Sequence, residues 1–133
     1  MNCVQITNPM RPLDWKTKVK INATDKNNKI DCVAVFDTGA QCSSISRKLF
    51  ESINADVIEK TVNHGTTGDE ITEVCRIDIE LYHGCTIKDC YVTILSNDIG
   101  CDVLIGMNVI TLGDFHSFRD SDGLYKCTFS LYP

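Results

Sequence analysis

Residues 33–44 read VAVFDTGAQCSS, and this stretch places an aspartate directly after a run of apolar residues. The run at 33–36 has the pattern of a buried strand, whereas the residues after Asp37 are small and polar. Burying a carboxylate is unfavourable unless it is hydrogen-bonded, paired or used in chemistry. Gly39 indicates a tight turn that needs a permissive backbone. Asp37 is therefore either an ordinary turn residue at a strand end or a catalytic carboxylate presented by a rigid core.

Length and composition are those of one globular domain. The chain has 133 residues, of which 43% are apolar and 23% are charged. The net charge of −5 and the absence of a basic stripe argue against a nucleic-acid partner. No apolar run reaches the ~18 residues of a membrane span, and the N-terminal sequence lacks the pattern of a signal peptide. We therefore expect a cytoplasmic protein with no nucleic-acid and no membrane partner.

The eight cysteines do not follow a metal-binding or disulfide pattern. They include no C-x-x-C pair, and their spacing is poor for zinc. Several alternate with polar residues in strand-like segments, where a thiol acts as a small hydrophobic group. We interpret most of them as core residues, and we expect no metal and no cofactor. Cys42 is the exception, because it lies five residues after Asp37.

The rest of the chain predicts mainly short strands with one or two short helices. A half-buried strand at 18–23 and a more fully buried one at 30–36 predict a hairpin. Ser46 is a suitable N-cap for a helix of about two turns, and residues 108–112 predict one helical turn that Gly113 ends. Further strands are predicted at 57–64, 70–81, 87–95, 103–105, 115–119 and 124–131.

Two features link distant parts of the sequence. The strands at 57–64 and 70–81 flank GTTG at 65–68, which predicts a long hairpin with a flexible, glycine-bounded tip. The segment DVLIG at 102–106 is an apolar strand that runs into a glycine before a short helix, as residues 33–46 do. Such an echo is expected of a fold with two pseudo-equivalent halves, of which only one carries the acid.

Together these motifs resemble the retropepsin-like aspartic proteases, the retroviral-protease fold and its bacterial and phage relatives. The motifs are VFDTGAQ at 35–41, the hairpin tip at 65–68 and DVLIGMNVI at 102–110. The resemblance extends over about residues 16–131, with the motifs in the family's order. It implies a single domain at 1–133 with a mostly β fold: a closed β-barrel or sheet, one or two short helices, and pseudo-two-fold halves.

The resemblance implies a homodimeric aspartic endopeptidase. The chain has one Asp-Thr-Gly triplet and the reaction needs two carboxylates, so Asp37 would meet its symmetry mate across a two-fold axis. Two carboxylates so close would share one proton, with one acting as general base on water and the other as general acid. Thr38, Gly39 and Ala40 would support this pair, Thr38 by a bond across the dimer and Gly39 by admitting substrate backbone.

By the same resemblance, the hairpin tip would be a flap over an extended polypeptide substrate, which would pair with it as an added strand. The substrate-binding residues would be His64, Gly65, Thr66, Thr67 and Gly68. The chain departs from the retroviral pattern after Gly106, where Met107 and Asn108 stand and no residue is equivalent to the viral arginine. A dimer salt bridge like theirs is therefore not implied.

Two alternatives stay open. A cysteine hydrolase would use Cys42 and a histidine, for which the candidates are His64, His83 and His116. Nothing in the sequence brings a histidine to Cys42. A non-catalytic, dimeric peptide-binding module could use the same fold, because a fold does not determine a function. An intact Asp-Thr-Gly argues against such a module, which has no need of an unfavourable acid pair.

Overall fold

The computed structural model describes residues 3–8, 15–65, 68–96 and 99–133, and these are mostly β structure. The strands are β1 (Val4–Asn8), β2 (Lys16–Ala23), β3 (Ile30–Phe36), β4 (Ser44–Ser46), β5 (Glu59–Gly65), β6 (Gly68–Tyr82), β7 (Cys85–Leu95), β8 (Val103–Ile105), β9 (Gly113–Arg119) and β10 (Tyr125–Leu131). The helices are α1 (Arg47–Ser52) and α2 (Met107–Ile110). The mostly β fold with two short helices is as predicted.

Six strands close into a barrel in the order β2-β3-β8-β4-β7-β6, and β6 returns to pair with β2. β5 pairs with the far end of β6 and forms the hairpin outside this ring. A separate antiparallel sheet has the order β1-β10-β9. Within the described residues, no helix is long and apolar enough to cross a membrane.

The barrel forms because its strands alternate as the sequence indicates. In β2, Val19 and Ile21 are buried while Lys18 and Lys20 are exposed. Burying a side chain such as Ile21 contributes about 1.5–3 kcal/mol relative to leaving it in water. The predicted hairpin of β2 and β3 is confirmed, with Ile21 opposite Ile30 in the register.

The second sheet packs on the barrel through aromatic rings. Phe129 of β10 is fully buried, and its ring centroid lies 5.3 Å from that of Phe36. Phe115 of β9 lies 5.8 Å from Phe36. The residue that precedes Asp37 is therefore held between the barrel and the second sheet.

The strand–glycine–helix echo corresponds to two segments that lie side by side. β3 and β8 pair in parallel, with Phe36 opposite Ile105. One strand leads into Asp37 and the other into Gly106. The pseudo-equivalent halves that the echo predicts thus meet at the ends of these two strands.

Both predicted helices are present, and their ends differ slightly from the prediction. Ser46 caps α1 as expected, because its Oγ accepts a hydrogen bond from Leu49 N at 3.1 Å. α2 begins at Met107 rather than at 108 and ends before Thr111. Gly113 is not a helix stop, so that interpretation is wrong. It is the first residue of β9, where a side chain would collide with the backbone of Ser130.

Four of the eight cysteines lie in the core, so the interpretation as hydrophobic core residues is confirmed for these four. Cys32, Cys75, Cys90 and Cys127 are all buried. Burial is the main cause that raises the pKa of three of these thiols, Cys32, Cys75 and Cys127, to about 12, and that of Cys90 to about 11. These thiols stay protonated at neutral pH and are poor nucleophiles.

A buried carboxylate lies where β2 meets β6 and closes the barrel. Asp78 is 4% exposed and stands opposite Asn22. Its oxygens accept hydrogen bonds from Asn22 Nδ2 at 3.1 Å, Thr24 Oγ1 at 3.1 Å and Asp89 N at 2.9 Å. Burial alone would raise the pKa of Asp78, but these hydrogen bonds and the charge of Lys88 outweigh it and hold that pKa below its ordinary value.

We predict that Asp78→Asn lowers the free energy of unfolding by about 1–3 kcal/mol near neutral pH, because it removes charge-assisted hydrogen bonds at a buried site. A lowered folded-state pKa means that this stability is present above about pH 4 and is lost as the pH falls further. Urea unfolding at pH 6 and pH 3, at one protein concentration, measures both effects. The matched control is Asp31→Asn, whose side chain is 83% exposed. An equal loss at both pH values would contradict the prediction.

Candidate active site

The Asp37 turn is held by hydrogen bonds from its own backbone and from β8. Asp37 N donates to Ile105 O at 2.8 Å, which continues the pairing of β3 with β8 by one residue. Gly39 N donates to Asp37 Oδ1 at 2.8 Å, and Ala40 N donates to Asp37 O at 3.2 Å. The carboxylate is thus fixed at the end of a buried strand by a tight turn.

The turn lies at the surface of the protomer. Asp37 and Ala40 are half-buried, whereas Thr38 and Gly39 are exposed. Two cavities, of about 710 and 810 Å³, lie away from this turn. The first is bounded by β2, β3 and the turn at His83, and the second by residues near Lys16 and Asp102; Asp37 lines neither. The acid therefore sits on an open face and not in either of these cavities.

Gly106 lies in close contact with the segment that follows the turn. A Cβ atom added at Gly106 would come within 2.7 Å of the carbonyl carbon and oxygen of Cys42 and within 2.8 Å of Ala40 O. These are backbone atoms, so they could not move aside without displacing the loop. Glycine is required here because there is no space for a side chain. It is not required by the backbone conformation, since a φ of −98° is available to any residue.

Two side chains to which the sequence assigned no role in the site complete this region. Ser43 is fully buried, and Asn108 accepts hydrogen bonds from both its N and its Oγ, at 2.8 and 2.7 Å. Ser43 Oγ in turn accepts a hydrogen bond from Gly106 N at 2.9 Å. The sequence does show a polar residue, Asn108, two positions after the LIG motif at 104–106. It gives no sign that this residue contacts Ser43, which lies 65 positions earlier.

The β5–β6 hairpin is longer than predicted and reaches a pairing of Gly65 with Gly68. Thr66 and Thr67 lie outside the described residues, and for His64 only the backbone is described. Gly68 has a φ of 121°, which suits glycine. Val62 and Ile71 are paired across the hairpin, and their side chains are 52% and 71% exposed. The hairpin therefore presents an exposed apolar pair close to its tip.

Among the described side chains, the alternative cysteine site is not assembled; the side chain of His64, the third candidate, lies outside them. Cys42 is exposed. His116 lies on β9 with its ring 5.2 Å from that of Phe118, and His83 lies in the β6–β7 turn. Among the described residues, no hydrogen bond joins Cys42 to either histidine, and no group of three or more His, Cys, Asp or Glu is placed to hold a metal ion.

A family model described as "gag-polyprotein putative aspartyl protease" matches residues 19–111, which is more than half of the chain. The match includes the Asp37 turn, the hairpin and the LIG motif. No curated protein sequence matches the chain significantly.

Solved structures show the same fold at low sequence identity. A retropepsin-like aspartic protease from Rickettsia conorii is 16% identical, with a TM-score of 0.61 over 97% of this chain and 93% of that one. The EIAV protease in complex with the inhibitor HBY-793 is 19% identical, with a TM-score of 0.55 over 74% and 86%. The retroviral protease-like domain of Ddi1 from Leishmania major is 18% identical, with a TM-score of 0.50 over 87% and 93%. The fold is thus retropepsin-like, as the motifs predict, and the chain belongs to the gag-polyprotein aspartyl protease family.

Proposed function

We propose that residues 1–133 form a single domain that acts as a homodimeric aspartic endopeptidase, with one Asp37 from each protomer in a shared site. The observation that carries the proposal is the half-buried Asp37 carboxylate in a turn on an open face of the protomer. The chain supplies only one Asp-Thr-Gly triplet, and a two-fold axis beside this turn would bring in the second acid.

The chemistry follows from two carboxylates in contact. They cannot both ionise comfortably, so the pair holds one proton. The ionised member takes a proton from a bound water, whose oxygen attacks the peptide carbonyl carbon, while the protonated member gives its proton to the carbonyl oxygen. The tetrahedral intermediate then breaks its C–N bond as the amine nitrogen takes up the proton of the pair, and one hydroxyl of the intermediate returns its proton to the pair as the new carboxyl group forms. The dyad returns to one shared proton, and no acyl-enzyme forms.

The surroundings of Asp37 support this role. Thr38 is exposed and can bond across the dimer, and Gly39 leaves its backbone open to a substrate chain. The hairpin of β5 and β6 would close over an extended peptide, which its main chain could pair as an added strand. Val62 and Ile71 would then lose their exposure against the substrate or against the partner protomer.

A mixing experiment tests the shared site. Asp37→Asn should abolish cleavage of a peptide library while leaving the fold intact, because it removes the ionisable group and little volume. In mixtures with the wild type, activity should fall as the square of the wild-type fraction, so that equal amounts leave about one quarter. Half of the activity remaining would show that each protomer works alone. Cys42→Ala should leave activity unchanged, and its loss would favour a cysteine hydrolase.

The shared proton gives a second prediction. The cleavage rate should follow a bell-shaped dependence on pH, with its maximum on the acidic side of neutral, because the dyad works only with one proton. Measurements of kcat/KM from acidic to alkaline pH test this. A rate that rises steadily into the alkaline range would contradict the proposed dyad.

The exposed pair on the hairpin gives a third prediction. Ile71→Thr should lower kcat/KM by about 5- to 30-fold, because apolar burial worth about 1–2 kcal/mol would be lost when the hairpin closes. Its effect on unfolding should stay within about 0.5 kcal/mol, since Ile71 is exposed in the protomer. The control is Val57→Thr, at an exposed position before β5. Equal kinetics for both variants would show that this face does not take part in catalysis.

A further inference from the structure

The Asn108 side chain joins three segments of the chain. Its Oδ1 accepts hydrogen bonds from Ser43 N and Oγ, and its Nδ2 donates to Tyr91 O on β7 at 3.3 Å. A backbone N–H can only donate, so Oδ1 and not Nδ2 must face Ser43, which fixes the orientation of the amide. Asn108 thus offers an acceptor to one segment and a donor to another.

Backbone hydrogen bonds run beside this contact. Met107 N donates to Ala40 O at 2.8 Å, and Asn108 N donates to Gln41 O at 3.1 Å. Ser43 Oγ bridges the two segments, because it donates to Asn108 and accepts from Gly106 N. The segment 40–43 is therefore bonded along its length to residues 106–108.

We propose that Asn108 is a positioning residue for the Asp37 turn and acts through Ser43. The proposal rests on the proposed function, since it concerns the placement of that acid. The exposed turn is anchored at its start by Ile105 O, and its far end is set by the Ser43–Asn108 contact. Two symmetry-related carboxylates share a proton only at close range, so a shift of ~1 Å in each turn would cost about 100-fold in rate.

The geometry separates this role from a purely structural one. Asn108 itself is exposed, whereas Ser43 is fully buried. Truncating Asn108 removes little buried volume but leaves the N and Oγ of the buried Ser43 without their acceptor, so we expect some loss of stability together with a large change in the turn. Asn108→Asp would keep the acceptor that faces Ser43 and lose the donations of Nδ2 to Tyr91 O and Cys90 Sγ.

Enzyme kinetics of the 133-residue protein test the proposal. Asn108→Ala should lower kcat by about 10- to 100-fold and change KM by less than about two-fold, because substrate binding is retained. Asn108→Asp should recover most of kcat. The matched control is Asn22→Ala, which removes hydrogen bonds of a buried asparagine at the other end of the barrel. It should lower the thermal midpoint without lowering kcat.

Amide hydrogen exchange provides a readout that does not depend on activity. Asp37 N and Gly39 N make no hydrogen bond to Asn108, so their exchange reports the turn itself. Exchange there should be about tenfold faster in Asn108→Ala and unchanged in Asn22→Ala. Unchanged exchange at both amides, or equal defects for Asn108→Ala and Asn108→Asp, would overturn the positioning role. If the wild-type protein cleaves no peptide, the proposed function is overturned. The exchange rates at Asp37 N and Gly39 N would then still show whether Asn108 positions the turn.

Discussion

The absence of a side chain at Gly106 is the constraint on which the candidate site depends. It lets β8 approach so closely that Ala40 and Cys42 pack against Gly106 with no room for a Cβ atom. This approach brings residues 106–108 within hydrogen-bonding distance of the segment after the acid. The turn at Asp37 therefore takes its shape from a neighbouring strand as well as from its own sequence.

The sequence was sufficient to predict the strands that follow a simple period. Alternation in β2 and the apolar run of β3 are local signals, and Ser46 is a local cap. Local signals also placed an acid at the end of a strand and a glycine-bounded hairpin tip. Since the acid and the LIG motif match a known family in order and spacing, their juxtaposition in space could be expected.

The parts that the sequence did not predict depend on tertiary contacts. β4 contains one apolar residue among serines, so no period marks it, and it forms because β7 and β8 pair with it on both sides. Gly113 has the sequence appearance of a helix stop, but the approach of Ser130 gives it a different role. The Ser43–Asn108 contact joins residues with no local relation, which only the closed barrel brings together.

The parallel pairing of β3 with β8 has a consequence for how the molecule is made. Ser43 and Asn108 are 65 positions apart, and no contact between them can form until the later segment has left the ribosome. Pairings across such distances are slow, because the entropy of closing the loop is lost before the contact is gained. The acid turn thus cannot complete its contacts until residues 105–108 have been made. Asp37 is therefore synthesised before the residues that hold its turn. A partly made chain would contain this carboxylate but could not hold it in the conformation of the folded site.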